Sequence, residues 1–346
     1  MRVLISTVAF PPSVGGMETA ALDIASGLAE RGHDVTVAAT TPNSEPDRYP
    51  FKVVRNPDAK TMWDLTRNTD VLWQNHISLR MVWPALLQRR PVIFMHHIWL
   101  DTDPGSGTKY GGLKRQVCKL GTNAFVSSAL RDAVRLDGPI IPNSYNGEIF
   151  RFRDDIRPDR DVVFLGRLTK VKGVDLLVEA IGLAAKNGTV ITASIIGTGP
   201  EEAALKAQAE TAGVADQIIF TGPLRGEALA QTLSRHRIAV VPSRWEEPFG
   251  IVALEVLASG CVAVVADSGA LPEVIGPCGP VFRKDDATSL AAALEDLVKH
   301  PDKIANYRAH IPAHLEQYTR QAQMEASEAL LESVARKAGI LRQPGR

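Results

Sequence analysis

The segment EEPFGIVALE, residues 246 to 255, places two carboxylates, Glu247 and Glu255, around a Pro-Phe-Gly turn and an apolar run. Pro248 suits a first helical position, where its missing N–H has no intrahelical role, and Gly260 suits the left-handed position just past a helix end. The spacing predicts a helix of about two turns. Ile251, Leu254 and Ala258 recur at three- and four-residue intervals and turn toward a core, which leaves Glu255 at the edge of the buried stripe. A carboxylate there needs partners. Backbone amides bared by Gly250 at the helix start favour an anion such as phosphate, and carboxylates accept hydrogen bonds from hydroxyls. A ligand carrying phosphate and many hydroxyls, such as a nucleotide sugar, meets both demands. A solvated capping Glu247 and a surface Glu255 would leave the same pattern.

Three further stretches carry chemistry-bearing residues. GRLTKVKG, 166 to 173, holds Arg167 and Lys172 in a glycine-bounded loop after a strand, where cations can neutralise a departing diphosphate; Lys170 is their more exposed neighbour. GTGP, 197 to 200, again lies between strand and helix, so Gly197 can let the backbone approach a phosphate or nucleoside, or simply start a helix. In PPSVGGMET, Gly15 and Gly16 directly precede a helix, without the GxGxxG spacing or the ribose-binding acid of a dinucleotide site. MHHIWLDTD, 95 to 103, contains His96, His97 and a D-x-D, Asp101 and Asp103. Adjacent histidines leaving a strand point to opposite sides, so at most one faces a cleft. The two aspartates lack supporting ligands, and no metal site is expected.

Two successive strand–helix alternations must position these residues. RVLIST, a glycine loop, the amphipathic stretch around Ala21, Ile24, Ala25 and Leu28, and DVTVAA read as a βαβ unit with Gly32 closing the helix. Short apolar strands follow at 71–74, 91–96 and 124–128. The pattern breaks at 140–161 and restarts with DVVFLG, a helix over 173–188, a strand at 190–197 and a helix over 201–213, then further alternation. Two doubly wound α/β domains are expected, 1–150 and 151–314, with a ligand at the carboxyl ends of their strands. A helical stretch, 315–337, opens a C-terminal segment, 315–346, that is expected to pack back on the first domain.

Composition narrows the function class. The chain has 346 residues, 45% hydrophobic and 23% charged, with a formal charge of zero, which argues against a general nucleic-acid binder. Residues 80 to 119 are locally basic: seven Lys and Arg against Asp101 and Asp103. Cys118, Cys261 and Cys278 are widely spaced and form neither a disulfide framework nor a zinc motif. Met1 leads into RVLIST without the long apolar region of a signal peptide, and no run approaches a membrane span of ~20 apolar residues. A cytoplasmic protein with at most peripheral membrane contact is the expectation.

GRLTKVKG, GTGPEEAAL, PSRWEEPFGIVALEVLASG and SGALPEVIG, in this order and spacing, resemble the retaining glycosyltransferases of family 4, which have the GT-B fold. PPSVGGMETAALDIASGLAERGHDVTV resembles that family's N-terminal loop and helix, and IPNSYNGEIF its interdomain segment, with Ser144 where glycine is usual. The resemblance implies two Rossmann-like domains facing across a cleft, a nucleoside-diphosphate-sugar donor and no cofactor. It implies that Glu247 approaches donor-sugar hydroxyls, Glu255 holds the ribose, and amides around Phe249, Gly250 and Ile251 meet sugar and phosphates. Arg167 and Lys172 would bind the diphosphate, Gly16 would approach it from the other domain, and His97, ahead of His96, would be the cleft histidine. UDP-glucose is the first donor expected and GDP-mannose the second, with a glycan or lipid-linked acceptor. A sugar-nucleotide epimerase and a non-catalytic nucleotide-sugar-binding protein are the competing readings.

Overall fold

A computed structural model of the chain describes residues 1–13, 15–100 and 111–341. The chain divides into two compact units, Met1–Asn143 with Arg320–Arg346, and Ser144–Thr319.

The first unit is built on six parallel strands: β1 (Arg2–Thr7), β2 (Asp34–Ala39), β3 (Lys52–Arg55), β4 (Val71–Asn75), β5 (Val92–His96) and β6 (Thr122–Phe125). Their order in the sheet is β3-β2-β1-β4-β5-β6. Helices cover a parallel sheet on both faces, so its central strands are buried on both sides; every residue of β4 and β5 is buried accordingly. The helix Gly16–Glu30 turns Ala20, Ala21, Ile24, Ala25 and Leu28 to this core. The helix Arg320–Lys337 lies against it, tied by Arg320 to Glu30 at 2.8 Å and by Glu328 to Arg31 at 3.2 Å and to His33 at 3.3 Å.

The second unit repeats the plan with β7 (Arg160–Leu165), β8 (Ala193–Ile196), β9 (Ile218–Gly222), β10 (His236–Val241), β11 (Val262–Ala266) and β12 (Val281–Phe282), ordered β12-β11-β10-β7-β8-β9. All its pairings are parallel. In both sheets the strand order reverses once, between β1 and β4 and between β10 and β7. Crevices for ligands open at such reversals, beyond the carboxyl ends of the strands.

Several local expectations change. The strand read at 124–128 ends at Phe125, because Ser127 is a helix cap: its hydroxyl accepts the Leu130 amide at 3.2 Å and starts the helix Ser128–Val134. The stretch 315–337 is not one helix. A helix ends at Leu315, a short 3₁₀ turn covers Glu316–Tyr318, and Thr319 is extended before the next helix begins. The Thr319 hydroxyl donates to the Glu316 carbonyl at 3.1 Å, a local bond that competes with helical continuation. The short edge strands β3 and β12, four and two residues long, carried no signal of their own.

Candidate functional site

In the second unit the candidate residues collect on the two loops that flank the strand-order reversal, one after β7 and one after β10. The β7 loop carries Arg167 and runs through a 3₁₀ turn, Lys170–Lys172, to Gly173. The β10 loop runs from Pro242 to Gly250 and starts the helix Ile251–Ala258. The loops are stitched together by backbone: the amides of Arg244 and Trp245 donate to the Val171 carbonyl at 2.9 and 3.2 Å, and the Ser243 hydroxyl adds a third bond at 3.3 Å. Arg244 fixes the outer side. It forks onto both oxygens of Asp175 at 2.5 and 2.8 Å, reaches Asp285 at 2.7 Å and donates to the Lys170 carbonyl at 3.1 Å. Nothing in the sequence pattern singles out Arg244, because its partners are 69 and 41 positions away.

This frame brings Lys172 and Glu247 together. Lys172 Nζ donates to Glu247 Oε1 at 2.6 Å, and the Ser243 hydroxyl donates to the same oxygen at 2.9 Å. Glu247 is further held by its own carbonyl, which accepts the Ala270 amide at 2.8 Å. The Arg167 side chain is exposed and makes no hydrogen bond or ion pair with another described residue. One exposed cation and one held by an ion pair therefore stand on the loop after β7.

The helix begins at Ile251 with Gly250 as its cap, and Pro248, expected in its first turn, lies before it. The cap residue has φ +102, in the left-handed region, and a Cβ there would sit 2.7 Å from Leu271 Cδ2, so only glycine meets both demands. The helix is apolar around most of its circumference, with Ala253, Leu254, Val256, Leu257 and Ala258 buried. The Ala253 amide is taken by the Gly250 carbonyl at 2.9 Å, while the amides of Ile251 and Val252 precede any intrahelical acceptor and stay available to an anion. Phe249 is buried, edge-on to Tyr318 with ring centroids 6.0 Å apart, and Gly260 follows the end of the helix at φ +91. Glu255 is partly buried, flanked on this helix by the buried Leu254 and Val256. Burial raises its carboxyl to about 7, and no described side chain supplies a neutralising partner. Gly197, at the end of β8, has φ +137, and a Cβ there would lie 1.9 Å from the Gly166 carbonyl oxygen. Two strand ends touch at this point, which is a packing reason for glycine independent of any ligand.

In the first unit the reversal lies between β1 and β4. The loop after β1 is held by Arg55, which donates to the Pro11 carbonyl at 2.7 Å and the Thr41 carbonyl at 3.1 Å and pairs with Asp47 at 2.6 Å. Gly16 is the first residue of the helix that follows. Both histidines are buried, and their surroundings differ. His96 is a core residue: its Nε2 bonds Asn123 Oδ1 at 2.9 Å, its ring stacks on Phe125 at 4.7 Å, and burial lowers its pKa to about 4. His97 Nε2 meets Asn75 Oδ1 at 2.6 Å, and Asn75 Nδ2 reaches the Met17 carbonyl at 3.4 Å. Asn75 thus ties His97 to the start of the Gly16 helix, a role that the apolar strand VLWQN does not advertise. Burial, with His96 adding to it, lowers His97 to about 3, so the ring is neutral. If Nε2 carries the proton donated to Asn75, Nδ1 is an acceptor; it is buried with no well-formed hydrogen bond, and the Asn143 side chain beside the ring only partly offsets the effect of burial. Such a nitrogen accepts from a hydroxyl and does not act as a cationic acid. His76, unmarked by the sequence reading, sits beside them at φ +70, lowered to about 3.

Asp101 and Asp103 lie outside the described residues. Among the described residues no three His, Cys, Asp or Glu side chains are grouped to share a metal ion, and no helix is long and apolar enough to cross a membrane. Cys118, Cys261 and Cys278 are free and buried.

Comparison with known proteins adds an independent view. Residues 14–143 match the family model described as Glycosyltransferase Family 4, and residues 148–314 the model described as Glycosyl transferases group 1. Glycogen synthase of Mycobacterium tuberculosis is 26% identical over 87% of this chain and 87% of its own length. D-inositol 3-phosphate glycosyltransferase of Rhodococcus erythropolis is 30% identical over 52% of this chain and 41% of its own. Among solved structures, HepE of Anabaena in complex with UDP-glucose aligns with a TM-score of 0.74 at 18% identity, covering 96% of this chain and all of that one. Sucrose-phosphate synthase of Thermosynechococcus elongatus gives the same TM-score at 19% identity, over 96% and 98%.

Proposed function

The chain belongs to the family 4 glycosyltransferases of GT-B fold, and from that premise we propose that it transfers a glycosyl unit, with retention, from a nucleoside-diphosphate sugar to an acceptor hydroxyl. The observation that carries this reading is the 2.6 Å pair of Lys172 and Glu247 on stitched loops, next to a helix start whose amides are open to an anion. The bond between the anomeric carbon and the diphosphate oxygen breaks, and charge gathers on the leaving phosphate as the sugar becomes oxocarbenium-like. Lys172, Arg167 and the amides at Gly250 and Ile251 stabilise that charge. As Lys172 turns to phosphate it releases Glu247, which then receives the donor-sugar hydroxyls. Glu255 takes the ribose hydroxyls, and the neutral His97 accepts from a sugar hydroxyl through Nδ1. Gly16 and Gly197 are assigned close backbone approach to the donor. The acceptor oxygen attacks from the face that the diphosphate leaves, and its proton passes to a leaving phosphate oxygen.

UDP-glucose is the first donor proposed and GDP-mannose the second. HepE, the neighbour solved with UDP-glucose, favours that order. The acceptor proposed is an anionic or lipid-linked glycan met at the inner membrane face, and a cytoplasmic location accompanies it. The test is a nucleotide-sugar panel scored by thermal stabilisation and hydrolysis, since a ligand at 100 times its Kd stabilises by about 2.7 kcal/mol. A protein that no nucleotide sugar stabilises overturns the reading, and turnover of a UDP-sugar with no acceptor favours the epimerase. Because side chains and amides carry the charge, activity is expected to survive EDTA. Loss on chelation, restored by manganese and abolished by Asp101→Ala, would move that work to a metal.

A further inference from the structure

The second unit holds, besides the donor-site loops, a cavity of 450 Å³ between the segment that enters the unit, the end of the helix Ile251–Ala258 and the helix Pro301–Leu315. Its walls are mostly apolar: Phe150, Leu257, Ile311 and Leu315, the first, third and last each 6% exposed. Phe152 lines it too but is 58% exposed, a large aromatic surface left in water. Volumes of this order with a few placed polar groups characterise small-molecule sites. The polar groups here are unbalanced in sign. Arg151 and Arg308 face one acid, Glu316, and neither arginine forms an ion pair with a described residue. Arg308 is half-buried, and its Nε is buried without a hydrogen-bond partner. A buried donor left unmade costs about 1–3 kcal/mol, and a guanidinium finds its strongest partners in carboxylate or phosphate.

We propose that this cavity binds an anionic single-chain amphiphile, its apolar chain against Phe150, Ile311 and Leu315 and its carboxylate or phosphate on Arg308. The apolar wall rejects a hydrophilic anion, and the unpaired guanidinium rejects a cation or a plain hydrocarbon. No residue assigned to donor or acceptor chemistry lines the cavity, so this site is separate from the transfer reaction.

Calorimetry on the full chain tests it, with sodium dodecanoate and dodecyl phosphate as anionic probes below their micelle concentrations and dodecyltrimethylammonium as the cation of equal chain length. One saturable site for an anionic probe and none for the cation is expected. Tighter dodecanoate identifies a fatty-acid source, and tighter dodecyl phosphate a phosphate-headed lipid. Arg308→Met keeps the packing of the stem and removes the charge, and weakens binding by at least about tenfold. Gly147→Phe fills the cavity, because a Cβ there meets only Tyr145 Cε2 at 3.6 Å, and abolishes binding. Thermal melts confirm that each variant folds; should Gly147→Phe melt early, Arg308→Met decides alone. Equal affinity for the cation, or anionic binding unchanged in a folded variant, overturns the proposal.

Discussion

At the scale of single residues, the assignment rests on charge that acts late in the reaction. Lys172→Ala and Arg167→Ala are each expected to lower kcat/KM by about 10²–10³, the usual cost of one preorganised group that stabilises a leaving charge, with the fold intact. Turnover near that of the parent in either variant removes the residue from the mechanism. Glu255 gives a second handle through pH. Its folded pKa, about 7, lies above its ordinary 4.5, so the stability linked to it is fully present below pH 4.5 and lost as pH rises through 7. Glu255→Gln should therefore match the parent near pH 4 and be more stable by on the order of 3 kcal/mol at pH 8, while binding the donor less tightly. A difference in melting temperature that does not change with pH contradicts this. Glu247, Glu255, Arg167 and Lys172 are legible in the sequence because each sits in a short segment whose spacing carries its own meaning. Asn75 is not, since it acts through His97 and Met17, 22 and 58 positions away, and Ser243, though only four positions from Glu247, sits in a turn with no periodic pattern to mark it.

At the scale of elements, the sequence shows where strands end and helices begin wherever apolar runs meet glycine, which is why most of both sheets can be drawn from it. It fails where a single side chain decides the matter, as Ser127 and Thr319 do, and where a strand is too short to have a period, as β3 and β12 are. The positioning of Lys172 belongs here as well. Lys172 ends a 3₁₀ turn three residues long, and what prevents that turn from drifting is Arg244, anchored on Asp175, Asp285 and the Lys170 carbonyl. Arg244 is thus a positioning residue that acts through this turn. Arg244→Met is expected to reduce kcat/KM by up to about 10²-fold, the scale of a misplacement of about 1 Å, with most of the loss in kcat. Arg244→Lys is expected to recover little, because an ammonium cannot fork between two carboxylates and a carbonyl. Full rescue by lysine, or a change confined to melting temperature, would make the residue structural only.

At the scale of the molecule, a net charge of zero conceals a local imbalance in the first unit. The helices Ala59–Arg67 and Leu79–Leu87, with the residues that flank them, carry Lys60, Arg67, Arg80, Arg89 and Arg90 against Asp58, Asp64 and Asp70; Asp58 caps the first helix and Asp70 is taken by Arg2 at 2.6 Å. Two tryptophans stand among these cations: Trp63, 37% exposed, packs on Trp83 with centroids 5.9 Å apart, and Leu87 nearby is 68% exposed. Basic side chains and an amphipathic aromatic suit the headgroup region of an anionic bilayer, where each cation contributes on the order of 1 kcal/mol. The adjoining Arg90 is a poor probe of this, because its guanidinium donates to the Arg67 carbonyl at 2.6 Å and holds the helix pair together. Lys60 and Arg80 are better: each is the second residue of its helix, where an acid suits the helix dipole, so reversal leaves the fold undisturbed. Co-sedimentation with phosphatidylglycerol vesicles is expected to be strong at low salt, to fade as salt rises, and to fall by about thirtyfold or more in Lys60→Glu/Arg80→Glu, with Trp63→Ala weakening it separately. Binding that ignores both the salt and the reversed charges, or its absence at low salt, leaves the transfer reaction in place and makes the acceptor a soluble one.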